Sequence, residues 1–508
     1  MPSLLKPQHI RYFCPVAKKI SIIGSGFAGL AAAACCAKNG HDVTVFEKNR
    51  DIGGRARQFT ADGFVFDMGP SWYWMPDVFE NFYQRFGHTA SDFYQLDRLS
   101  PSYRVYFGKG DFVDIPSNLE EIYELVERME KGAADQLRKF LKEAEFKYNV
   151  GMKEFVFKPG LSVMEFMDIR LMTSALRLNM FQSISAHIRQ HFKNPKLIQI
   201  LEFPVLFLGA KPSETPAMYS LMNYADWSLG TWYPQGGMFK IIEAMETICK
   251  EQGVRIETNA EVERIITNDR IAKGLIINTK EVLSDVIIGT ADYHHVDQQL
   301  LPKEFRNYSE KYWDSRQLSP SCMIFYVGVK KRVANLLHHT LFFDTDFDRH
   351  LGEIYDTKQW PSNPLFYVCA PSKTDDTVAP EGCENLFILI PVAVDLKDDD
   401  AVRERYFDLV MDRMEHITGE RIKEHVVYKR SYAHRDYKTD YNGYKGNAFG
   451  LANTLMQTAI FKPSLRNKHL KNLFFAGQLT TPGPGVPPSL ISGQVVAAVI
   501  EKELGKKY

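Results

Sequence analysis

The chain of 508 residues has no excess charge of either sign: Lys+Arg and Asp+Glu both number 62. A balanced chain offers no electrostatic footprint for nucleic acid, and that partner class is set aside. Cysteine is sparse, with seven residues at 14, 35, 36, 249, 322, 369 and 383. There is no C-x-x-C and no disulfide-like rhythm, which suits a reducing cytosol. No apolar run reaches the ~18 residues needed to span a bilayer. Met1 to Val16 lacks an apolar signal core and is expected to be a short extension before the first strand. His294-His295 and His338-His339 have no acid-His-x-x-His partner pattern. Adjacent histidines point in different directions, so a loop or capping role is expected and no metal. Internal repeats and low-complexity segments are also missing.

What is present begins with length and aromatics. At the rough prior of ~150 residues per domain, the chain should hold two or more domains. Phe (34) and Tyr (24) dominate an aromatic content of 13%. That suits an apolar binding cavity and equally a large core.

The most informative stretch is Lys19-Ile20-Ser21-Ile22-Ile23-Gly24-Ser25-Gly26-Phe27-Ala28-Gly29-Leu30. Ile20 to Ile23 reads as a buried parallel strand, and Ala28 to Ala37 as a helix packed on it. Gly24 turns the chain, Gly26 lets backbone approach a pyrophosphate, and Gly29 lets helix and strand close up. The helix N-terminus offers free N–H groups and a positive dipole end to phosphate. Val43 to Phe46 is a second strand. Glu47 ends it, near the ~20-residue offset at which an acid accepts hydrogen bonds from a ribose. Ser25, Ala28 and Lys48 flank these positions and are assigned to the same cofactor site.

A second glycine turn selects the dinucleotide. Asp51-Ile52-Gly53-Gly54-Arg55-Ala56-Arg57 follows Glu47, and Gly63-Phe64-Val65-Phe66-Asp67-Met68-Gly69-Pro70 comes next. A simple NAD dehydrogenase has no need of it. A flavin dinucleotide does, and Arg55 can fork onto its phosphates. The alternative for Gly53-Gly54-Arg55 is an ordinary surface turn.

These segments resemble the FAD-dependent flavin amine oxidase superfamily. Lys445 to Thr458 (KGNAFGLANTLMQT) and Asn472 to Gly493 (NLFFAGQLTTPGPGVPPSLISG) narrow the resemblance to bacterial-type phytoene desaturases and related carotenoid desaturases. It runs from about Ile20 to the C-terminus, and Pro482 to Pro488 is its most specific part. It implies FAD contacts for Arg55, Gly69, Gly477, Gln478, Val486 and Pro487. It also implies one for the Val262 backbone, whose alternative is a plain strand valine. Gln478 departs from the Glu usual in flavin amine oxidases and argues against an amine substrate. No cysteine lies near this segment, so covalent flavin attachment is not expected.

The expected fold class is α/β: a Rossmann-like FAD domain interleaved with an α+β substrate domain of antiparallel sheet and helices. The FAD domain is assigned to 18–70, 231–292 and 440–508. The substrate and membrane-docking domain takes 71–230 and 293–439. Helices are expected over Leu119 to Tyr148, Phe239 to Gln252 and Ser489 to Ile500. Strands are expected at Val254 to Ile265, Ser321 to Val329, Leu365 to Cys369 and Asn385 to Pro391. Leu197 to Leu208 is apolar and expected to break at Pro204.

The reading of function is an FAD-dependent desaturase that places C=C bonds in a long polyisoprenoid such as phytoene. The flavin would carry the redox chemistry. In the resembled family an acid early in the substrate domain has been proposed to help. Glu165 is the nearest match here, and the alternative is a solvated helix carboxylate. The substrate lives in lipid, so the enzyme should sit in the cytoplasm, peripheral on the inner membrane face, docking through the Met/Leu/Phe-rich helices of 160–208. Those helices could equally be core. Other readings are a later 3,4-desaturase acting on a hydroxylated or cyclised carotene, another flavin isoprenoid enzyme such as a saturase or isomerase, a flavin amine oxidase, and a carotenoid carrier. Oxygen and a quinone both stand as electron acceptors, and no oligomeric state is assigned.

Overall fold

The computed structural model describes residues 17–166, 179–206 and 208–505. Ile20, Ile22 and Ile23 are buried, and Lys19–Ile23 forms the centre of a five-stranded parallel sheet. The sheet runs in the order Leu473–Phe475, Val286–Gly289, Lys19–Ile23, Asp42–Phe46, Arg255–Glu257. Four of these short strands are mostly buried apolar runs, as expected where both sheet faces are covered, while the edge strand Arg255–Glu257 exposes its two charged residues.

Helix Phe27–Lys38 follows the first strand, and its Ala31–Ala34 run is fully buried. Alanine there lets other helices approach closely. The C-terminal helix Val486–Leu504 crosses it so tightly that a Cβ on Gly493 would lie 2.3 Å from the Ala28 carbonyl oxygen. Helix Phe239–Glu251 also packs on it.

A seven-stranded sheet forms the second layer system. Its order is Val426–Tyr432, Ser321–Val329, Glu384–Val392, Phe366–Cys369, His339–Phe342, Tyr103–Gly108, Asp111–Ile115. The expected antiparallel sheet is mixed: His339–Phe342 pairs with Tyr103–Gly108 in parallel. All nine residues of Ser321–Val329 are buried because both faces are covered. Helix Asp400–Thr418 packs Phe407, Val410 and Met414 against Phe325 and Val327. On the other side Phe59 meets Tyr326 edge-on at 5.1 Å.

Three expectations are corrected. Leu119 to Tyr148 is two helices, Leu119–Met129 and Ala133–Val150, parted at Gly132, whose φ is +80°. Val254 to Ile265 is not one strand. Arg255–Glu257 joins the parallel sheet and Val262–Asn268 an antiparallel one. Between them the chain turns at Asn259, with φ +52°, and Ala260 N–H donates to the Glu47 carbonyl. Helix Pro195–Leu206 runs through Pro204 instead of breaking there, and Leu201, Phe203 and Val205 are buried. It is therefore not an exposed docking face. Of the 161–192 stretch, residues 167–178 lie outside the described residues, as does Met1 to Val16. Among the described residues no helix is long and apolar enough to cross a membrane.

Candidate active site

The parallel sheet's first turn does three jobs with three glycines. Gly24 takes φ +101°, a conformation that side chains rarely adopt. A Cβ on Gly29 would sit 2.1 Å from the Gly24 carbonyl oxygen, so only glycine permits that helix–strand contact. A Cβ on Gly26 would meet nothing within 4 Å, because Gly26 faces a cavity. The helix beginning at Phe27 turns its N-terminus onto that cavity.

Glu47 is buried at the end of the second strand, and its carboxylate orders the turn. Oε2 accepts from Ser25 N–H at 3.0 Å and Ser25 Oγ at 2.7 Å. Oε1 accepts from Asn49 N–H and Asn49 Nδ2, both at 2.9 Å. Sequence reasoning foresaw an acid here but not its grip on Ser25 and Asn49. Lys48 Nζ donates to the Thr439 carbonyl at 2.7 Å.

The second glycine turn is folded against the first. Gly53 N–H donates to the Ser25 carbonyl at 3.1 Å, and Gly53 and Gly54 both have positive φ. Arg55 lies over the Tyr441 ring, 5.1 Å from its centroid. Its Nη2 donates weakly to the Asn447 carbonyl at 3.4 Å, and its buried Nε has no partner. Gly69 comes so close that its Cβ would lie 2.5 Å from the Arg55 carbonyl oxygen.

The C-terminal segment closes the cavity from the far side. Gly477 has φ +114°, and its N–H donates to Ser492 Oγ at 3.0 Å. Gln478 Nε2 donates to Asn447 Oδ1 at 3.1 Å. Val486 and Pro487 form the first turn of the C-terminal helix and line the cavity. Proline fits that position because the first helical N–H groups lack intrahelical acceptors anyway. Val262 is buried and lines the opposite end. Asp292 collects this end together: Oδ1 accepts from His294 and His295 N–H, and Oδ2 from Asn447 Nδ2. The paired histidines thus occupy the first turn of helix Tyr293–Gln298, which Asp292 caps.

One cavity of ≈ 430 Å³ is lined by every cofactor position expected from the sequence except Gly29, which packs behind the turn. That volume lies in the range of small-molecule sites. Its polar end holds Glu47, Glu261, Asp292, Asp440 and Arg55. A second arm extends into the mixed sheet and is walled by Trp72, Trp74, Phe203, Leu206, Phe343 and Ile354. Among the described residues the carboxylates of the lining all belong to the polar end. His350, at the apolar arm, is held down to about 4 by burial and stays neutral. Glu165 is not in the lining. Its carboxylate accepts from Gly160 and Leu161 N–H at 2.9 and 3.2 Å and so caps its own loop. Trp72, Tyr441, Asn49 and Asp292 escaped the sequence reading because single polar or aromatic residues carry no spacing signal.

The polar end fits a flavin dinucleotide. Two helix N-termini face it, Gly26 leaves room for a phosphate, and Arg55 holds an unpartnered buried Nε there. Residues that would hold it are Gly24, Ser25, Gly26, Ala28, Glu47, Lys48, Arg55, Gly69, Val262, Gly477, Gln478, Val486 and Pro487.

Comparison with known proteins agrees. The family described as flavin containing amine oxidoreductase matches residues 27–500. Over 489 residues the chain is 40% identical to a carotenoid 3,4-desaturase of Haloarcula japonica, covering 96% of this chain and 98% of that one. It is 31% identical over 497 residues to a 4,4'-diapophytoene desaturase of Staphylococcus haemolyticus, covering 96% and 99%. An oxidoreductase structure from Methanosarcina mazei shares the fold with a TM-score of 0.60 at 20% identity, covering 95% of this chain and all of that one. The chain is therefore an FAD-dependent oxidoreductase of the flavin containing amine oxidoreductase family, and within it a member of the carotenoid desaturases.

Proposed function

We propose that this enzyme desaturates a long polyisoprenoid carotene held in the apolar arm of the cavity. The observation that carries this is the arm itself: aromatic and aliphatic walls running from the flavin end into the mixed sheet, with no carboxylate among its described residues. When bound, the flavin supplies the hydride-accepting chemistry. The chain's own residues bind, orient and shield. Trp72, Trp74 and Phe203 exclude water from the polyene, while the N-termini of Phe27–Lys38 and Val486–Leu504 favour negative charge at the cofactor end. Glu165 has no part in this reading, because its oxygens are occupied by local amides.

Similarity bears on which bond is acted on. Identity of 40% to a 3,4-desaturase against 31% to a diapophytoene desaturase favours 3,4-desaturation over the phytoene-type reaction. The segments 18–70, 231–292 and 440–508 form the FAD domain, and 71–230 with 293–439 the substrate domain. Every strand of the parallel sheet falls in the first set and every strand of the mixed sheet in the second, which supports the division. Helix His434–Tyr441 straddles the limit at 440.

Membrane docking moves to a different surface. Phe157, Met164, Phe181, Met456 and Phe461 are large apolar side chains left exposed. The segments bearing four of them touch: a Cβ on Gly160 would lie 3.3 Å from the Ala459 carbonyl oxygen. A cluster of this kind suits insertion into the bilayer interface. The functional test is anaerobic: carotene in liposomes should bleach the flavin absorbance of the bound enzyme. Bleaching by amines but not by any carotene would refute the proposal.

A further inference from the structure

Away from the cavity, helix Ile184–His191 places His187 and His191 one turn apart, on the face that meets helix Ala133–Val150. Residues at i and i+4 share a helix face, the spacing by which paired histidines grip a metal. The opposite helix contributes Glu143. One ligand atom from each of the three side chains lies within 4.8 Å of the other two. His187 Nε2 stands 3.5 Å from Glu143 Oε2. Tetrahedral zinc, with bonds of ~2.0–2.2 Å, sets neighbouring ligand atoms about 3.3 Å apart.

His187 supplies a second, independent sign. It is only 3% exposed, yet neither ring nitrogen has a hydrogen-bond partner. A buried polar group without a partner is costly and calls for an explanation. Lys147 and Lys139 oppose a cation here. The Glu143 carboxylate offsets one of them, and Lys147 Nζ is engaged by the Ala217 carbonyl and Ser220 Oγ.

We propose that Glu143, His187 and His191 form a zinc site whose fourth position is open to water. Three protein ligands of this type are a common zinc donor set. The ligands come from the helices that precede and follow residues 151–183. The metal would thus tie together the two stems of the segment that carries Phe157, Met164 and Phe181. The tie rests on the docking reading for its purpose, but the site does not.

The test uses the flavin-loaded protein after dialysis against EDTA. Zinc chloride titrated against a chromophoric chelator should show one tightly held equivalent. His191→Gln and Glu143→Gln lie at half-buried and exposed positions. Each should weaken zinc binding tenfold or more while circular dichroism and flavin absorbance stay unchanged. Zinc held equally well by the double variant, or no zinc retained against the chelator, overturns the site. Zinc should also slow proteolysis within 151–183 at least threefold in the unmodified chain alone. Unchanged cleavage of the zinc-loaded protein overturns the tie. Both arms read metal or cleavage, so they are independent of whether the carotenoid assignment stands.

Discussion

Gly26 and Gly29 sit three residues apart in one turn, and the structure gives their replacement by alanine opposite signs. Gly26 has φ −73°, an ordinary value for any residue, and its added Cβ meets nothing within 4 Å. Gly26→Ala should therefore leave the flavin-free protein intact, or stabilise it by about 0.4–1 kcal/mol through a less disordered unfolded chain. Its methyl group nonetheless enters the space where the phosphate would approach the backbone. Losing one charge-assisted hydrogen bond of about 1.5–3 kcal/mol corresponds to a roughly tenfold to hundredfold loss of FAD affinity. At Gly29 the added Cβ would lie 2.1 Å from the Gly24 carbonyl oxygen and 2.8 Å from Thr290 Oγ1. Backbone must move by about an ångström, so the cost should be ~3 kcal/mol or more, the upper end of overpacking. The assay is urea unfolding of flavin-stripped protein by circular dichroism, paired with FAD titration by fluorescence quenching. If Gly26→Ala destabilises the flavin-free protein as much as Gly29→Ala, or loads FAD normally, the reading of this turn is wrong.

Glu47→Gln should weaken both the turn and FAD loading, since an amide presents N–H groups to donors at Ser25 or Asn49. A loss of about 1–3 kcal/mol is expected in unfolding, and an unchanged midpoint would remove Glu47 from the ordering of the turn. Burial pushes the Asp226 carboxyl up to about 7, above its usual 3.8. The folded state therefore holds the proton longer than the unfolded one, and stability should fall as pH rises from about 4 to 7. Asp226→Asn should flatten that fall, and equal slopes for both proteins would contradict it. Phe157→Glu with Met456→Glu should lower cosedimentation with neutral liposomes while FAD absorbance persists. Phe203→Glu should instead lose soluble protein and flavin, because Phe203 is 2% exposed. Retention of liposome binding by the first pair would place docking elsewhere.

The sequence was most legible where one local rule governs. The strand Ser321–Val329 is found where its apolar run lies, because a strand buried on both faces needs only a continuous run. The turn at Gly24, Gly26 and Gly29 was legible because each glycine answers a separate steric demand. Failures came where tertiary partners decide. Val254 to Ile265 alternates like one strand, yet Ala260 N–H is taken by the Glu47 carbonyl and the chain changes sheets. Leu197 to Leu208 is apolar except for Gln199 and Glu202, and composition cannot separate a lipid-facing helix from a cavity wall. The structure makes it a wall, with Phe203 and Leu206 facing the cavity. Glu165 looked like a catalytic acid only by position. Its two oxygens are held by amides one turn back, a contact that no spacing rule reveals.

The account rests on a carotene entering the apolar arm and leaving with a new double bond. The direct measurement is chromatography of pigments from bacteria that express this chain beside a supply of defined carotenes, phytoene in one strain and a hydroxylated linear carotene in another. The account predicts a product two hydrogens poorer, with the longer-wavelength absorption of an extended polyene, and faster formation in the strain bearing the 3,4-bond substrate. Unchanged pigments in both strains, with flavin-loaded protein present in the cells, would contradict it.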